Sequence, residues 1–329
     1  MHIPDGFING ATSLGAGVVA VSGVGASLRR AGRLLQDRQI PLAGLIAAFI
    51  FVLQMLNFPV VAGMSGHLLG GALAAVLIGP WIGMVVMSVV VIVQALLFAD
   101  GGISALGLNI INMSLLTVIS GWFFFRLVMV VLPKHASSVL LAGAVAAWAS
   151  VLVSSLGFVA EYALGGQGGA SLPAVLAAMS GTHALIGIGE ALITAGILGS
   201  VMAVRPDLVQ GARLYGLKHA ADAALSRRAV TGLVVGGVAV AVLLVTVVAP
   251  RASGDPDGLE RVAIDQGFAE SADDHALEDS PLSGYDATVG EDDQVGTIIA
   301  GLVGLGITFL VAVSLVWVAR RRRQRVDIA

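Results

Sequence analysis

Nine runs of this chain are apolar over a length that crosses a bilayer or nearly so, and no other feature constrains its fold as strongly. They lie at residues 9–28, 40–58, 68–79, 81–98, 109–132, 139–160, 174–203, 230–249 and 296–319. A helical crossing takes ~20 residues, and backbone polar groups in hydrocarbon must be satisfied within the protein, so the runs read as helices. Composition agrees: 57% of residues are apolar and 12% charged, where a soluble domain is about half apolar and a quarter charged. The expected fold is all-α integral membrane, a polytopic helical bundle of about seven spans with a two-span C-terminal helical module. The run at 68–79 is short for a crossing at ~1.5 Å per residue, so it is tilted, re-entrant or extended by the residues before it. The absence of cysteine excludes disulfides, thiolate metal sites and cysteine nucleophiles.

Charge placement orients the spans. With Met1 outside, the basic groups Arg29, Arg30, Arg33 and Arg38; Arg126 and Lys134; Arg205, Arg213, Lys218, Arg227 and Arg228; and Arg320 to Arg323 with Arg325 all fall inside. Only Arg251 and Arg261 remain outside, as the positive-inside rule expects. The segment from Ala249 to Val295 carries thirteen acidic against two basic residues, and reads as a largely solvated extracytoplasmic loop. Residues Met1 to Asn9 include no basic residue, so the first run is not read as a cleavable signal peptide and the mature chain is expected to begin at Met1. The expected division is a membrane domain at 1–205, a cytoplasmic linker at 206–229, a two-span module at 230–320 with its acidic loop at 250–295, and a basic cytoplasmic tail at 321–329. The chain is expected in a prokaryotic cell membrane, multi-pass, its N-terminus outside and its C-terminus in the cytoplasm, with no nucleic-acid partner.

Six histidines are present, at 2, 67, 135, 183, 219 and 275. His2 follows an α-amino group, so the amine, the His2 amide nitrogen once deprotonated, and the ring Nδ1 offer three donors in adjacent chelate rings. Such a planar nitrogen set suits Ni(II) or Cu(II). His67, in Gly63-Met64-Ser65-Gly66-His67, falls on the same side of the membrane as Met1 and is the candidate fourth nitrogen. Each histidine taken singly also fits a plainer role, His2 as an exposed terminal residue and His67 as a polar helix end.

Four segments carry a family resemblance: Met1-His2-Ile3-Pro4-Asp5-Gly6-Phe7, Gly66-His67-Leu68-Leu69-Gly70-Gly71, Gly107-Leu108-Asn109 with Asn112-Met113, and His183 through Glu190 to Thr194. Together, over roughly residues 1–205, they resemble the CbiM/NikM substrate-capture components of energy-coupling factor transporters for cobalt and nickel. The resemblance implies a metal held by the Met1 amine, the His2 amide and imidazole, and His67. It also implies two kinds of partner, a membrane-embedded coupling subunit and a pair of cytoplasmic ATPases, with Co(II) or Ni(II) as transported substrate and no resident cofactor. Pro256-Asp257-Gly258-Leu259-Glu260 resembles the start of the PDGLE domain, a relative of the two-span CbiN/NikN components, which help load the metal. Read by itself, Pro-Asp-Gly is a turn.

Asp5, Ser65, Asn109, Asn112, His183 and Glu190 are the candidates for supporting or pathway roles. Asn109 and Asn112 follow the Asp100-Gly101-Gly102 turn and are placed to orient ligands, or to cap a helix. His183 and Glu190 lie seven residues apart on one helical face; the pair reads either as a relay for protons or cations or as a hydrogen-bonded pair that fixes helix packing. The chain contains no phosphate-binding G-x-x-x-x-G-K-[ST] loop, its lysines being Lys134 and Lys218, so a non-enzyme dependent on external ATPases is expected. Two rival readings remain. Gly63-Met64-Ser65-Gly66 with His183 is similar to the serine and histidine segments of rhomboid proteases, and His183 with Glu190 would serve a self-sufficient cation channel or carrier.

Overall fold

The computed structural model describes residues 1–34, 39–61, 63–217, 227–287 and 293–326. Arg38, Lys218 and His219 lie outside the described residues, as do the side chains of Arg227, Arg228, Arg322, Arg323 and Arg325. The chain is an all-α polytopic bundle. Its helices are α1 (Gly10–Leu34), α2 (Ile40–Gln54), α3 (Gly71–Ile78), α4 (Pro80–Phe98), α5 (Leu106–Ile110), α6 (Thr117–Val131), α7 (Ala136–Gly165), α8 (Leu172–Val204), α9 (Gln210–Leu214), α10 (Arg227–Leu243), α11 (Gly258–Gln266) and α12 (Asp293–Val326). A π-helical turn over Ile111–Leu116 joins α5 to α6 as one span. A two-stranded antiparallel hairpin, β1 (Phe58–Val61) and β2 (Met64–Gly66), follows α2.

Among the described residues seven helices are long and apolar enough to cross a membrane, and α2 adds a shorter apolar one of 15 residues. The remaining run, at 68–79, departs from a helical span. After β2 the chain runs extended through Leu68 and Leu69, and only from Gly71 does it coil, into the eight residues of α3, ~12 Å of helix. Gly70 sets this break: its φ of 82° is a left-handed conformation that side-chain-bearing residues rarely adopt. Non-helical backbone inside an apolar bundle leaves amide groups without partners, and two polar side chains supply them. The Glu190 carboxyl group of α8 accepts from Leu69 N at 2.5 Å and Gly70 N at 2.8 Å, while Gln54 of α2 donates to Leu69 O at 2.7 Å. After α3 the chain turns at Gly79 and α4 runs back.

Helices α10 and α12 are built into the same bundle. α12 lies along α2, with Gly304 against the Phe51 ring and Gly44 against Val313, and its far end meets α1 at Gly32 and Ala319. Small residues at these crossings allow the backbones to approach closely. The loops at one end of the bundle, around residues 1–9, 55–70, 99–105, 165–171 and 252–287, bond to one another: Gly102 N to Ile3 O, Asn9 N to Gly165 O, Ser253 N to Asn57 O and Asp273 N to Asp5 O.

The acidic segment is more ordered than a solvated loop. It forms α11, and Leu259, Val262, Ala263 and Phe268 are buried. Phe268 packs edge-on against Phe7 at 5.2 Å and beside Tyr162 at 5.3 Å. Apolar side chains spaced three and four apart give α11 an inward face, which net charge alone does not reveal. At the basic end, the first part of the 206–229 segment is also folded: Arg205 pairs with Asp207 at 2.6 Å, and Val209 and Ala212 are buried.

Removing Glu190 should orphan two buried N–H groups, each costing about 1–3 kcal/mol. Glu190→Ala is expected to lower the unfolding free energy of the detergent-solubilised chain by about 2–6 kcal/mol, whereas Leu192→Ala, on the exposed face of the same helix, changes it little. Equal stability of the two variants would contradict the assignment.

Candidate metal centre

The first residues of the chain are held in place by their own backbone. Ile3, fully buried, donates its N–H to Asn109 Oδ1 at 2.7 Å and accepts from Asn109 Nδ2 at 3.0 Å and from Gly102 N at 2.9 Å. One carboxamide thereby reads both backbone groups of Ile3 as a neighbouring strand would. Asp5 fastens the next residues, accepting from Ser104 N at 2.7 Å, Ser104 Oγ at 2.5 Å and Ile103 N at 3.1 Å. These contacts leave Met1 and His2 pointing toward the end of the extended 67–70 segment.

There the Met1 amine lies 3.0 Å from His67 Nε2. His67 Nδ1 faces the Leu68 carbonyl at 3.0 Å, which fixes the ring with Nδ1 as donor and leaves the Nε2 lone pair toward the amine. The His2 and His67 rings are 5.3 Å apart between centroids. Among the described residues neither His2 ring nitrogen has a hydrogen-bond partner, although the ring is buried. Asp100 Oδ1 lies 3.4 Å from its Nδ1. Burial is the main influence on His2 and pushes its imidazole from 6.5 down to about 4, against an opposing pull from Asp100.

The fourth participant is one that sequence reasoning read as part of a turn and of the PDGLE resemblance, not as a site residue. Asp257 Oδ2 is in ion-pair contact with the Met1 amine and 3.7 Å from His67 Nε2. Burial pushes its carboxyl up, but the Met1 charge and His67 outweigh that and hold it well below the usual carboxylate range. Its other oxygen, Oδ1, caps α11 by accepting from Leu259 N at 2.8 Å and Glu260 N at 2.9 Å. The flanking residues are clamped to β2: Ser65 donates its N–H to Pro256 O at 2.9 Å and its hydroxyl to Asp255 O at 2.7 Å. Gly258 completes the fit, since a Cβ there would lie 2.4 Å from Ile186 of α8.

The remaining expected residues divide. Met1, His2, His67, Asp5, Asn109 and Ser65 converge on this end of the bundle. Asn112 does not reach it: it donates to Glu161 at 2.6 Å, an intramembrane pair that the lone acid in the α7 run could have signalled. His183 and Glu190 do not pair. His183 Nδ1 bonds Met179 O at 2.9 Å, and its Nε2 is buried and unpartnered beside a small cavity shared with Met1 and His67. Glu190 is engaged by Leu69 and Gly70. Ser65 gives its hydroxyl to a backbone carbonyl rather than to an imidazole, so no serine–histidine pair of protease type forms here.

Known proteins resemble this chain over most of its length. Residues 2–208 match the family described as the cobalt uptake substrate-specific transmembrane region, CbiM, and residues 231–321 match the PDGLE domain. The chain belongs to the CbiM family. Over 320 residues it is 32% identical to a protein of Archaeoglobus fulgidus described as a fused nickel transport protein, NikMN, covering 97% of this chain and 99% of that one. It is 33% identical over 174 residues to the cobalt transport protein CbiM of Geobacter sulfurreducens, covering 51% and 49% of the two chains. A crystal structure of a truncated transition metal transporter, 26% identical, superposes with a TM-score of 0.55 over 62% of this chain and 99% of that one.

The His2 ring should therefore stay neutral in the folded chain at pH 5–6. A nitrogen-detected NMR titration is expected to place its midpoint near 4. Because the unfolded chain takes up this proton first, acidification between about pH 6.5 and 4 should destabilise the fold through His2. A midpoint near 6.5 would contradict the buried placement.

Proposed function

We propose that this chain captures a divalent transition-metal cation, Co(II) or Ni(II), as the substrate-specific subunit of an ATP-driven energy-coupling factor transporter. The donors are the Met1 amine, the His2 amide nitrogen and imidazole, and His67 Nε2. The observation that carries the reading is the 3.0 Å between the Met1 amine and His67 Nε2. Two nitrogens each ~2.0–2.1 Å from one ion and at right angles around it lie ~2.9 Å apart. The unpartnered nitrogens of His2 beside them add to the support, since a buried imidazole with no hydrogen bond is a lone pair held for a ligand. A planar nitrogen set favours Ni(II) over Co(II).

Capture takes place outside the cell in this reading. The described basic residues Arg29, Arg30, Arg33, Lys134, Arg205 and Arg213 belong to the helix ends and loops opposite the Met1 end, which the positive-inside rule assigns to the cytoplasm. Residues 1–205 form the capture domain and 230–320 the accessory two-span module, joined through the 206–229 linker. A coupling subunit and paired ATPases supply the energy, and movement of the capture domain against them delivers the ion inward. His183, with its free Nε2 beneath the site, is the first polar group on that inward side.

Metal analysis of the purified chain tests the donor set. Wild type is expected to retain about one Ni(II) or Co(II) per chain, and both His67→Ala and a chain with one residue added before Met1 are expected to lose it; an extended chain of unchanged affinity would contradict the amine's role. In vesicles, nickel accumulation should require the coupling subunit, the ATPases and ATP together. Equal accumulation by this chain alone would favour a self-sufficient carrier.

A further inference from the structure

The carboxylate that meets the Met1 amine comes from the far end of the chain, 256 residues away, and the charge on the site explains why one is needed there. Before metal enters, the buried amine carries a positive charge, and Asp257 Oδ2 is in contact with it. When a divalent ion binds the amine, the His2 amide nitrogen and the two imidazoles, two protons leave for the outer medium, one from the amine and one from the amide. Exchange of two protons for one doubly charged ion leaves the charge of the site unchanged. The carboxylate that matches the empty site therefore also matches the loaded one, without either state holding an uncompensated buried charge.

We propose that Asp257 is a metal-site residue supplied by the accessory module, the counter-charge that keeps the buried nitrogen site balanced both before and after the ion binds. The inference rests on the donor set proposed above and adds to it a role for the second module. Its two oxygens divide the work: Oδ1 is committed to the first turn of α11, and Oδ2 is presented to Met1 and His67. The Ser65 hydroxyl, bonded to Asp255 O, and its N–H, bonded to Pro256 O, hold this turn against β2, two residues from His67. Close packing of Gly258 on Ile186 leaves no slack by which the carboxylate could withdraw. Asp100 lies toward His2 Nδ1 and accepts the Tyr285 hydroxyl, so it borders the imidazole.

Asparagine caps helices as well as aspartate does, so Asp257→Asn removes the charge while keeping α11. The experiment measures equilibrium Ni(II) affinity by chelator competition on the full-length chain, for wild type, Asp257→Asn, Glu260→Gln and the chain with one residue added before Met1, with thermal stability recorded for each. Glu260 is exposed on the first turn of α11 and controls for general attraction of cations to an acidic surface. The proposal expects Asp257→Asn to bind at least about tenfold more weakly, Glu260→Gln to change less than twofold, and both to melt near wild type. Wild-type affinity in Asp257→Asn with binding lost in the extended chain would overturn the counter-charge role and leave the donor set standing. Equal weakening in Asp257→Asn and Glu260→Gln would overturn it in favour of surface electrostatics. Undiminished binding by the extended chain would overturn the donor set and this inference with it.

Discussion

Three groups that are remote in sequence meet at one point: the Met1 amine, the His67 ring and the Asp257 carboxylate. Each is a strongly polar group in a bundle built mostly of apolar helices, and each is costly to bury by itself. Their meeting orders much of the surrounding loop structure. Asn109 and Asp5 fix the chain start, Ser65 ties β2 to the turn at Pro256, and the Leu68 carbonyl turns the His67 ring. Few of these contacts touch the meeting point itself, yet without them the amine and the ring would not arrive within 3.0 Å of one another.

A second polar problem lies directly beneath. His67 can stand at this end of the bundle because the chain enters from it as non-helical backbone, and non-helical backbone in an apolar interior needs hydrogen-bond partners. Glu190 and Gln54 provide them at Leu69 and Gly70. The intramembrane glutamate thus meets a backbone demand. The Met1 end of the bundle and the polar residues within the spans are connected through one non-helical segment, Leu68 to Gly70.

The long helices were legible because apolar length is a direct physical requirement of crossing hydrocarbon, and the run at 68–79 stood out because it was too short. The pairing of Met1-His2 with His67 is suggested by chelate chemistry and a shared side of the membrane, and it is the family resemblance that carries it. Asp257 could not be read as a site residue: its local pattern is satisfied by a turn or a helix cap, and nothing near it in sequence reports that Oδ2 faces Met1. The acidic segment misleads for a related reason. Its net charge suggests solvation, whereas Leu259, Val262, Ala263 and Phe268 carry a buried face spaced for a helix. Glu190 was visible as an intramembrane acid, but periodicity pointed it at His183, when its partners are backbone amides on another segment.

The central claim is that the chain start and two imidazoles surround one ion with nitrogen. Nickel K-edge X-ray absorption on the loaded, full-length chain addresses it most directly. The account predicts a planar shell of nitrogen donors, with scattering from two imidazole rings and the pre-edge feature of a four-coordinate planar ion. A six-coordinate shell dominated by oxygen, or scattering from a single imidazole, would contradict it.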